Sequence, residues 1–228
     1  MLGFILRPAR RSDSRAIARL FLMSSDGLAE YIWSRLPAND DDTPLDIGAR
    51  RYARDGVAFS WQNCLVAERG GKIVGMMHAF PMEAPAADAT PESDPVLRPY
   101  SELEDAGSLY VSGVAVEPAF RRTGIGAALM AAAETRASTL GLHRVSLICF
   151  EPNEIARRLY RDLGYRELAR RAIVPHPTLH YCDGAAILLV KSILPEMTRP
   201  HVALADTDAP GHSRARPAPG DADLRSAA

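Results

Sequence analysis

The stretch that most limits the folds open to this chain is Arg121-Arg122-Thr123-Gly124-Ile125-Gly126, directly behind a strand-like run at 110–116. It reads as a strand, a short turn and a helix opened by glycines. Ile125, Leu129, Ala132, Ala133 and Leu140 fall on one stripe of that helix, and Gly141 ends it. A helix that starts this way leaves backbone N–H groups uncovered, and its aligned peptide dipoles favour negative charge there. Glycine also lets a ligand approach the main chain with no Cβ in the way. With two arginines beside it, the turn suits a pyrophosphate. It is not a Walker motif, because no Gly-Lys-Ser/Thr follows at the required spacing. The full glycine set of the dinucleotide fingerprint is also absent, and no βαβ unit opens here.

The next forty residues add to this. A second strand at 143–150 runs into Glu151-Pro152-Asn153, and a helix over 154–163 is closed by Gly164 and followed by Tyr165. Asn153 stands where an N-cap belongs. Asn153, Ala156 and Tyr160 share one helix face, while Ile155, Leu159 and Leu163 form a separate apolar face expected to meet the core.

Val114-Ala115-Val116, then Arg121-x-x-Gly124-x-Gly126, then Asn153-x-x-Ala156-x-x-x-Tyr160-x-x-x-Gly164-Tyr165 resembles the acetyl-CoA-dependent GNAT N-acetyltransferase superfamily, over about 109–165 and in the family's order. The resemblance implies an α/β (α+β) fold. Its central sheet would be mixed, mostly antiparallel and twisted, flanked by helices and splayed between the two strands that hold the pantetheine arm. It implies acetyl-CoA as co-substrate and no metal. By resemblance, Val114, Ala115 and Val116 lend their backbone to pantetheine and supply the oxyanion donor. Arg121, Arg122, Thr123, Gly124, Ile125, Gly126 and Ala127 would grip the pyrophosphate. Asn153, Ala156 and Tyr160 match cofactor-contacting positions, with Tyr160 either protonating the leaving thiolate or positioning the cofactor.

Amine attack on a thioester needs a deprotonated amine, an oxyanion donor and an acid for sulfur. The base is where this chain departs from familiar members, several of which carry a carboxylate or histidine on the strand before the glycine loop. Here that strand offers Tyr110 and Ser112, and a phenol of ordinary pKa near 10 is a poor base at neutral pH. The candidates are Glu104 or Glu30, acting through a water. Cys149 lies on the strand beside the pantetheine channel, but no activating partner is evident, so a structural thiol is the favoured reading. His176, His180 and Cys182 superficially offer metal ligands, yet Pro177 argues against a helix that would align them. A loop near the substrate entrance, where one histidine touches the acceptor, fits better. Asp40, Asp41, Asp42, Glu102, Glu104 and Asp105 form either an acidic rim for a cationic amine or a solvated surface. Tyr31, Trp33 and Trp61 are core aromatics or pocket walls.

The remainder is compatible with one domain over 1–194. Among 228 residues, 47% are hydrophobic and 24% charged, which is ordinary globular composition. A net charge of −1 gives no footprint for nucleic acid. No apolar run is long enough for a bilayer, no signal-peptide pattern opens the chain, and three scattered cysteines suit reduced thiols. The expectation is a cytoplasmic protein, with no membrane or nucleic-acid partner and a homodimer allowed.

At the start, 4–7 reads as a strand, Ser12 as the cap of a first helix, and Ile17, Leu20 and Phe21 as its buried stripe. Helices follow at 28–36 and from Thr43-Pro44-Leu45-Asp46 to about 54. Strands at 64–68 and 73–80 are joined by Arg69-Gly70-Gly71-Lys72, a hairpin signal. The proline-rich segment 82–99 breaks the pattern and is expected to be an inserted loop, a lid or disordered. A closing antiparallel pair is expected at 166–174 and 185–193, with 195–228 as a tail outside the core. Two functions stay open: acetyl transfer to a primary amine by direct attack in a ternary complex, and a non-catalytic sensor of coenzyme A or acyl-CoA.

Overall fold

Alternating apolar strands and amphipathic helices assemble into one seven-stranded sheet with helices on both faces. The computed structural model describes residues 3–86, 88 and 90–193. The tail expected over 195–228 lies outside the described residues. Strands are β1 (Ile5–Pro8), β2 (Cys64–Arg69), β3 (Lys72–Pro81), β4 (Leu109–Val116), β5 (Arg144–Phe150), β6 (Arg166–Ala172) and β7 (Ala185–Ser192). Their spatial order is β1-β2-β3-β4-β5-β7-β6, and only the β4–β5 pair is parallel. This is the mixed, mostly antiparallel sheet that the sequence suggests.

Six helices complete it: α1 (Ser14–Ser24), α2 (Leu28–Trp33), α3 (Pro44–Tyr52), α4 (Arg98–Ser101), α5 (Ile125–Thr139) and α6 (Glu154–Asp162). One face of the sheet is packed by α1 to α4, around Ile17, Leu20, Phe21, Trp33, Tyr52 and Met76. The other is packed by α5 and α6, around Leu129, Ala133, Val145, Leu147 and Tyr165. β7 is apolar almost throughout because it lies between β5 and β6. The edge strand β6 instead carries exposed Arg166, Glu167, Arg170 and Arg171, charges that discourage pairing with another chain.

Local signals account for several elements. Gly70 and Gly71 turn the β2–β3 hairpin with φ of 57° and 75°, the left-handed geometry that tight hairpins need. At α3, Thr43 accepts from the Asp46 N–H and Asp46 reaches back to the Thr43 N–H, a closed capping box with Pro44 behind it. Thr43→Ala should cost about 1 kcal/mol of stability, read as a lowered urea midpoint with unchanged slope.

Three helix expectations need correction. Ser12 does not cap α1: it sits inside a 3-10 turn (Arg11–Asp13), and α1 starts at Ser14 after Asp13. Leu140 lies beyond the last turn of α5 and is 49% exposed, while Met130 and Ala137 join the buried stripe. Ile155 is 78% exposed, so the face of α6 that meets the sheet is the Ala156–Tyr160 face itself. An apolar residue near a helix end faces the core only if another element reaches it, which spacing alone does not tell.

Among the described residues, the segment after β3 shows no regular structure until α4, but its second half is packed. Asp94 accepts from the Tyr31 hydroxyl at 2.7 Å and pairs with Arg35, and Val96, Leu97, Tyr100 and Leu103 are buried.

Candidate functional site

β4 and β5 pair only at Leu109↔Val145 and Tyr110↔Ser146, where the buried Ser108 and Ser146 hydroxyls meet at 2.6 Å. Beyond these two rungs the strands diverge. The cause lies on the far side of β4, where the β3–β4 register shifts between His78 and Ala79 and leaves Ser112 as an extra residue. A bulge of this kind bends its strand and increases the twist. A cavity fills the divergence, walled by Val111 to Val114 on β4 and by Leu147 to Phe150 on β5. Ser24 at the end of α1, Ser25 and Asp26 just after it, Tyr100 of α4, and Ala156 and Tyr160 of α6 close it.

Ser112 has its hydroxyl 2.6 Å from His78 Nδ1. His78 Nε2 is 2.9 Å from the Ala58 carbonyl, which can only accept, so Nε2 carries the proton and Nδ1 is the acceptor, with the Ser112 hydroxyl as its nearer donor and the Tyr52 hydroxyl 3.2 Å away. Burial pushes the His78 pKa down to about 4, and the ring is neutral. The Ser112 proton is thereby committed to the core, and its lone pairs are left for the cavity.

At the C-terminal end of β4 the chain reaches the glycine loop. Arg122 and Gly124 both adopt left-handed φ, 61° and 86°, and Gly124 is the N-cap of α5 with no side chain capping it. The first N–H groups of the helix therefore face outward without a side-chain partner, the geometry that suits an anion. Arg121 is drawn back, its Nε donating to the Val116 carbonyl at 3.1 Å. Thr123 is tied to the Phe120 carbonyl at 2.6 Å. A Cβ on Gly126 would sit 3.4 Å from Leu159 Cδ2, an ordinary contact with the end of a flexible side chain of α6. A second groove, along α6, is lined by Arg157, Arg158 and Arg161.

Asn153 does cap α6, its side-chain oxygen accepting from the Ala156 N–H at 3.2 Å. Its amide nitrogen donates to Asp26 Oδ2, also at 3.2 Å. Tyr160 follows on the same face, 9% exposed, with its pKa pushed up by burial and then by Cys149 and Asp26, so it is a protonated donor at neutral pH. Burial pushes the Cys149 thiol up to about 12, which makes it a poor nucleophile.

Of the residues picked from sequence, the structure brings Val114, Ala156 and Tyr160 to the cavity wall. Neither Glu104 nor Glu30 is among the lining residues: Glu104 is half-buried near Tyr110, and Glu30 is on the exposed side of α2. Tyr31 and Trp33 are core residues and do not line the cavity either. Half of the acidic rim is paired, Asp42 with Arg50, Glu102 with Arg171 and Asp105 with Arg144. Among the described residues no group of three histidines, cysteines or acids could hold a metal, and no helix is long and apolar enough to cross a membrane.

The sequence reading passed over two residues of this wall. Asp26 is the only carboxylate among the lining residues. It sits in the α1–α2 turn with φ of 50°, followed by Gly27 at 93°. Its backbone carbonyl accepts from the His180 N–H at 2.9 Å, and its Oδ1 is 3.7 Å from His180 Nδ1. Burial raises its pKa, opposed by the Asn153 amide and His180. The Asp-Gly pair between two helical runs signals a turn, and nothing local says that the turn faces Asn153, 127 residues away. Tyr100 is 1% exposed, and its hydroxyl has no hydrogen-bond partner among the described residues.

Comparison with known proteins follows this geometry. Residues 26–165 match the model of the acetyltransferase (GNAT) family. The chain is 30% identical over 145 residues to the mycothiol acetyltransferase of Thermobispora bispora, covering 57% of this chain and 44% of that protein. The match thus spans less than half the length of that relative. An N-acetyltransferase from Staphylococcus aureus Mu50 shares the fold with a TM-score of 0.55 and 22% identity, over 82% of this chain and all of that one. So does yncA of Salmonella typhimurium, solved with acetyl-CoA as a putative acetyltransferase, with a TM-score of 0.54 and 17% identity over 88% of this chain and 99% of that one.

Proposed function

The chain belongs to the GNAT acetyltransferase family, and we propose that it transfers an acetyl group from acetyl-CoA to a primary amine by direct attack in a ternary complex. The observation that carries this reading is the cleft between β4 and β5, with the phenol of Tyr160 in its wall, together with the uncapped helix N-terminus that follows β4 in the chain. The backbone of Val114, Ala115 and Val116 takes the pantetheine arm, with one of its N–H groups facing the oxyanion. The loop of Arg121, Arg122, Thr123, Gly124, Ile125, Gly126 and Ala127 takes the pyrophosphate. Asn153 and Ala156 shape the thioester end, and Tyr160 delivers the proton to sulfur.

Direct attack is favoured because the one thiol on the wall is held protonated by burial. A covalent acyl-enzyme would need an activated nucleophile. The Ser112 hydroxyl is not one: its partner His78, itself buried and neutral, has a pKa near 4. The test is release of free thiol from acetyl-CoA across a broad panel of amines. Binding of acetyl-CoA with no transfer to any amine would replace this reading with that of an acyl-CoA sensor.

Gly126→Val bears on the cofactor half of the reading. The added side chain meets Leu159 at ordinary contact distance, so the fold should hold. It also stands where the pyrophosphate must approach the helix amides. Acetyl-CoA affinity should fall more than about tenfold, or 1.4 kcal/mol, with an unchanged melting temperature. Calorimetry that finds unaltered affinity in the folded variant would remove the phosphate role of the loop.

A further inference from the structure

Asp26 and Tyr100 are the two polar groups of the cavity that the fold alone does not explain. A carboxylate in a largely enclosed turn is costly to hold charged. Asp26 nevertheless faces this wall with one amide donor, Asn153, and a histidine too distant for a hydrogen bond. Groups from several surrounding elements lie near enough to interact with its charge: Tyr100 from α4, Cys149 from β5, Tyr160 from α6, and Tyr181 and His180 from the β6–β7 connection. No lysine or arginine lines the cavity to neutralise it. Tyr100 is the complementary case, a buried hydroxyl with a proton to give and no acceptor among the described residues. Native proteins satisfy nearly all such groups, and the exceptions call for a partner.

We propose that Asp26 takes the proton of the acceptor's ammonium and that Tyr100 donates to an oxygen of the same acceptor. The acceptor is therefore an amine with an uncharged carbonyl or hydroxyl adjacent to it, such as a peptide N-terminus or an amino-acid amide. The inference rests on the acetyl-transfer reading and adds the substrate class and the base. A free carboxylate next to the amine is disfavoured, because the cavity offers it Asp26 and no cation.

The ammonium gives one proton to Asp26, and that proton leaves for solvent past His180, which is 60% exposed. The freed nitrogen lone pair forms the C–N bond at the thioester carbon. The C–S bond then breaks, the sulfur takes a proton from Tyr160, and the second nitrogen proton replaces it. Asp26 keeps its position because the turn is pinned. The His180 N–H holds its carbonyl, and Gly27 lies against the backbone of Thr178.

The experiment compares L-alaninamide, n-butylamine and L-alanine as acceptors, within a broader amine panel, for wild type, Asp26→Asn and Tyr100→Phe. Wild type should favour alaninamide over butylamine about tenfold or more in kcat/KM, since only alaninamide satisfies the Tyr100 hydroxyl. Alanine should be poorer than alaninamide. Tyr100→Phe should remove the preference by slowing alaninamide alone. Asp26→Asn should lower kcat about 100-fold for all amines. Its residual rate should climb steadily with pH, as the amine supplies its own neutral form, where the wild-type rate levels off.

Stability separates this from a structural role. Burial disfavours the Asp26 anion in the folded state, so its contribution to stability falls as pH rises from the ordinary carboxylate range through the raised pKa. Asparagine carries no charge, tolerates left-handed φ and can still accept from Asn153. Asp26→Asn should therefore melt no lower than wild type at neutral pH. An Asp26→Asn protein with wild-type kcat and pH profile would overturn the base, and equal use of butylamine and alaninamide would overturn the oxygen contact. Transfer to other amines of the panel but not to alaninamide would overturn the substrate class and leave acetyl transfer standing. Transfer to no amine would overturn both.

Discussion

Replacing Tyr160 by phenylalanine is expected to lower kcat by about 100-fold or more while leaving acetyl-CoA affinity within a factor of about two. The variant keeps the ring, and with it the packing against Tyr165 at 6.0 Å between centroids. Only the hydroxyl is lost. Burial raises the phenol's pKa, so the group is fully protonated at neutral pH. In the proposed acid role it would act late in the reaction, once a thiolate has formed and its negative charge draws the proton across. Stopped-flow thiol release on the variant, with calorimetry for affinity, separates the two roles open to it. Unchanged kcat with weakened binding would mean that Tyr160 positions the cofactor and that sulfur is protonated from solvent.

Gly27→Ala is expected to be the most damaging single methyl in the described structure. Gly27 has φ of 93°, and a Cβ there would lie 1.9 Å from the Thr178 carbonyl oxygen and 2.9 Å from Leu179 Cα. Both neighbours are backbone and cannot rotate away, so the α1–α2 turn and the β6–β7 connection must separate. Gly124→Ala provides the comparison, with a similar φ of 86° and nothing within 4 Å of its Cβ. Gly124→Ala should show only the left-handed strain, about 1–2 kcal/mol. Gly27→Ala should exceed 4 kcal/mol, the range reserved for severe core damage. Urea unfolding of the two variants gives the difference directly. Equal losses would mean that the connection from β6 to β7 yields freely and that Asp26 is not pinned.

What the sequence discloses here depends on how far each interaction reaches. The Thr43 cap, the Gly70-Gly71 hairpin turn, the glycine start of α5 and the Asn153 cap are all contacts within a few residues, and all are present. The seven-strand, mostly antiparallel sheet followed from alternation and family resemblance together. Misplaced details turn on distant partners. Leu140 and Ile155 have the right spacing for a core face, but no element among the described residues covers them. Asp26 meets Asn153 and His180 only once α1, α6 and the β6–β7 connection have come together. Glu104 lies close to β4 in sequence and Glu30 only four residues past Asp26, yet neither lines the cavity; the acid that does is placed there by a turn over eighty residues before β4. Tyr100 was hidden by its setting at the end of a proline-rich run, which carries no periodicity.

The two rungs that join β4 to β5 mark a seam in the chain as well as in the sheet. Everything on one side, β1 to β4, is drawn from residues 5–116, and everything on the other, β5 to β7, from residues 144–192. Each half is a run of antiparallel pairs that can assemble locally, and the parallel contact between them waits for α5 to bring the halves together. A ligand laid along that seam touches both halves, and so it acts as a clasp against their separation. By mass action, such a ligand at about a hundred times its dissociation constant adds about 2.7 kcal/mol to the stability of the whole. The resistance of the protein to proteolysis would then rise with the concentration of whatever ligand fills the seam.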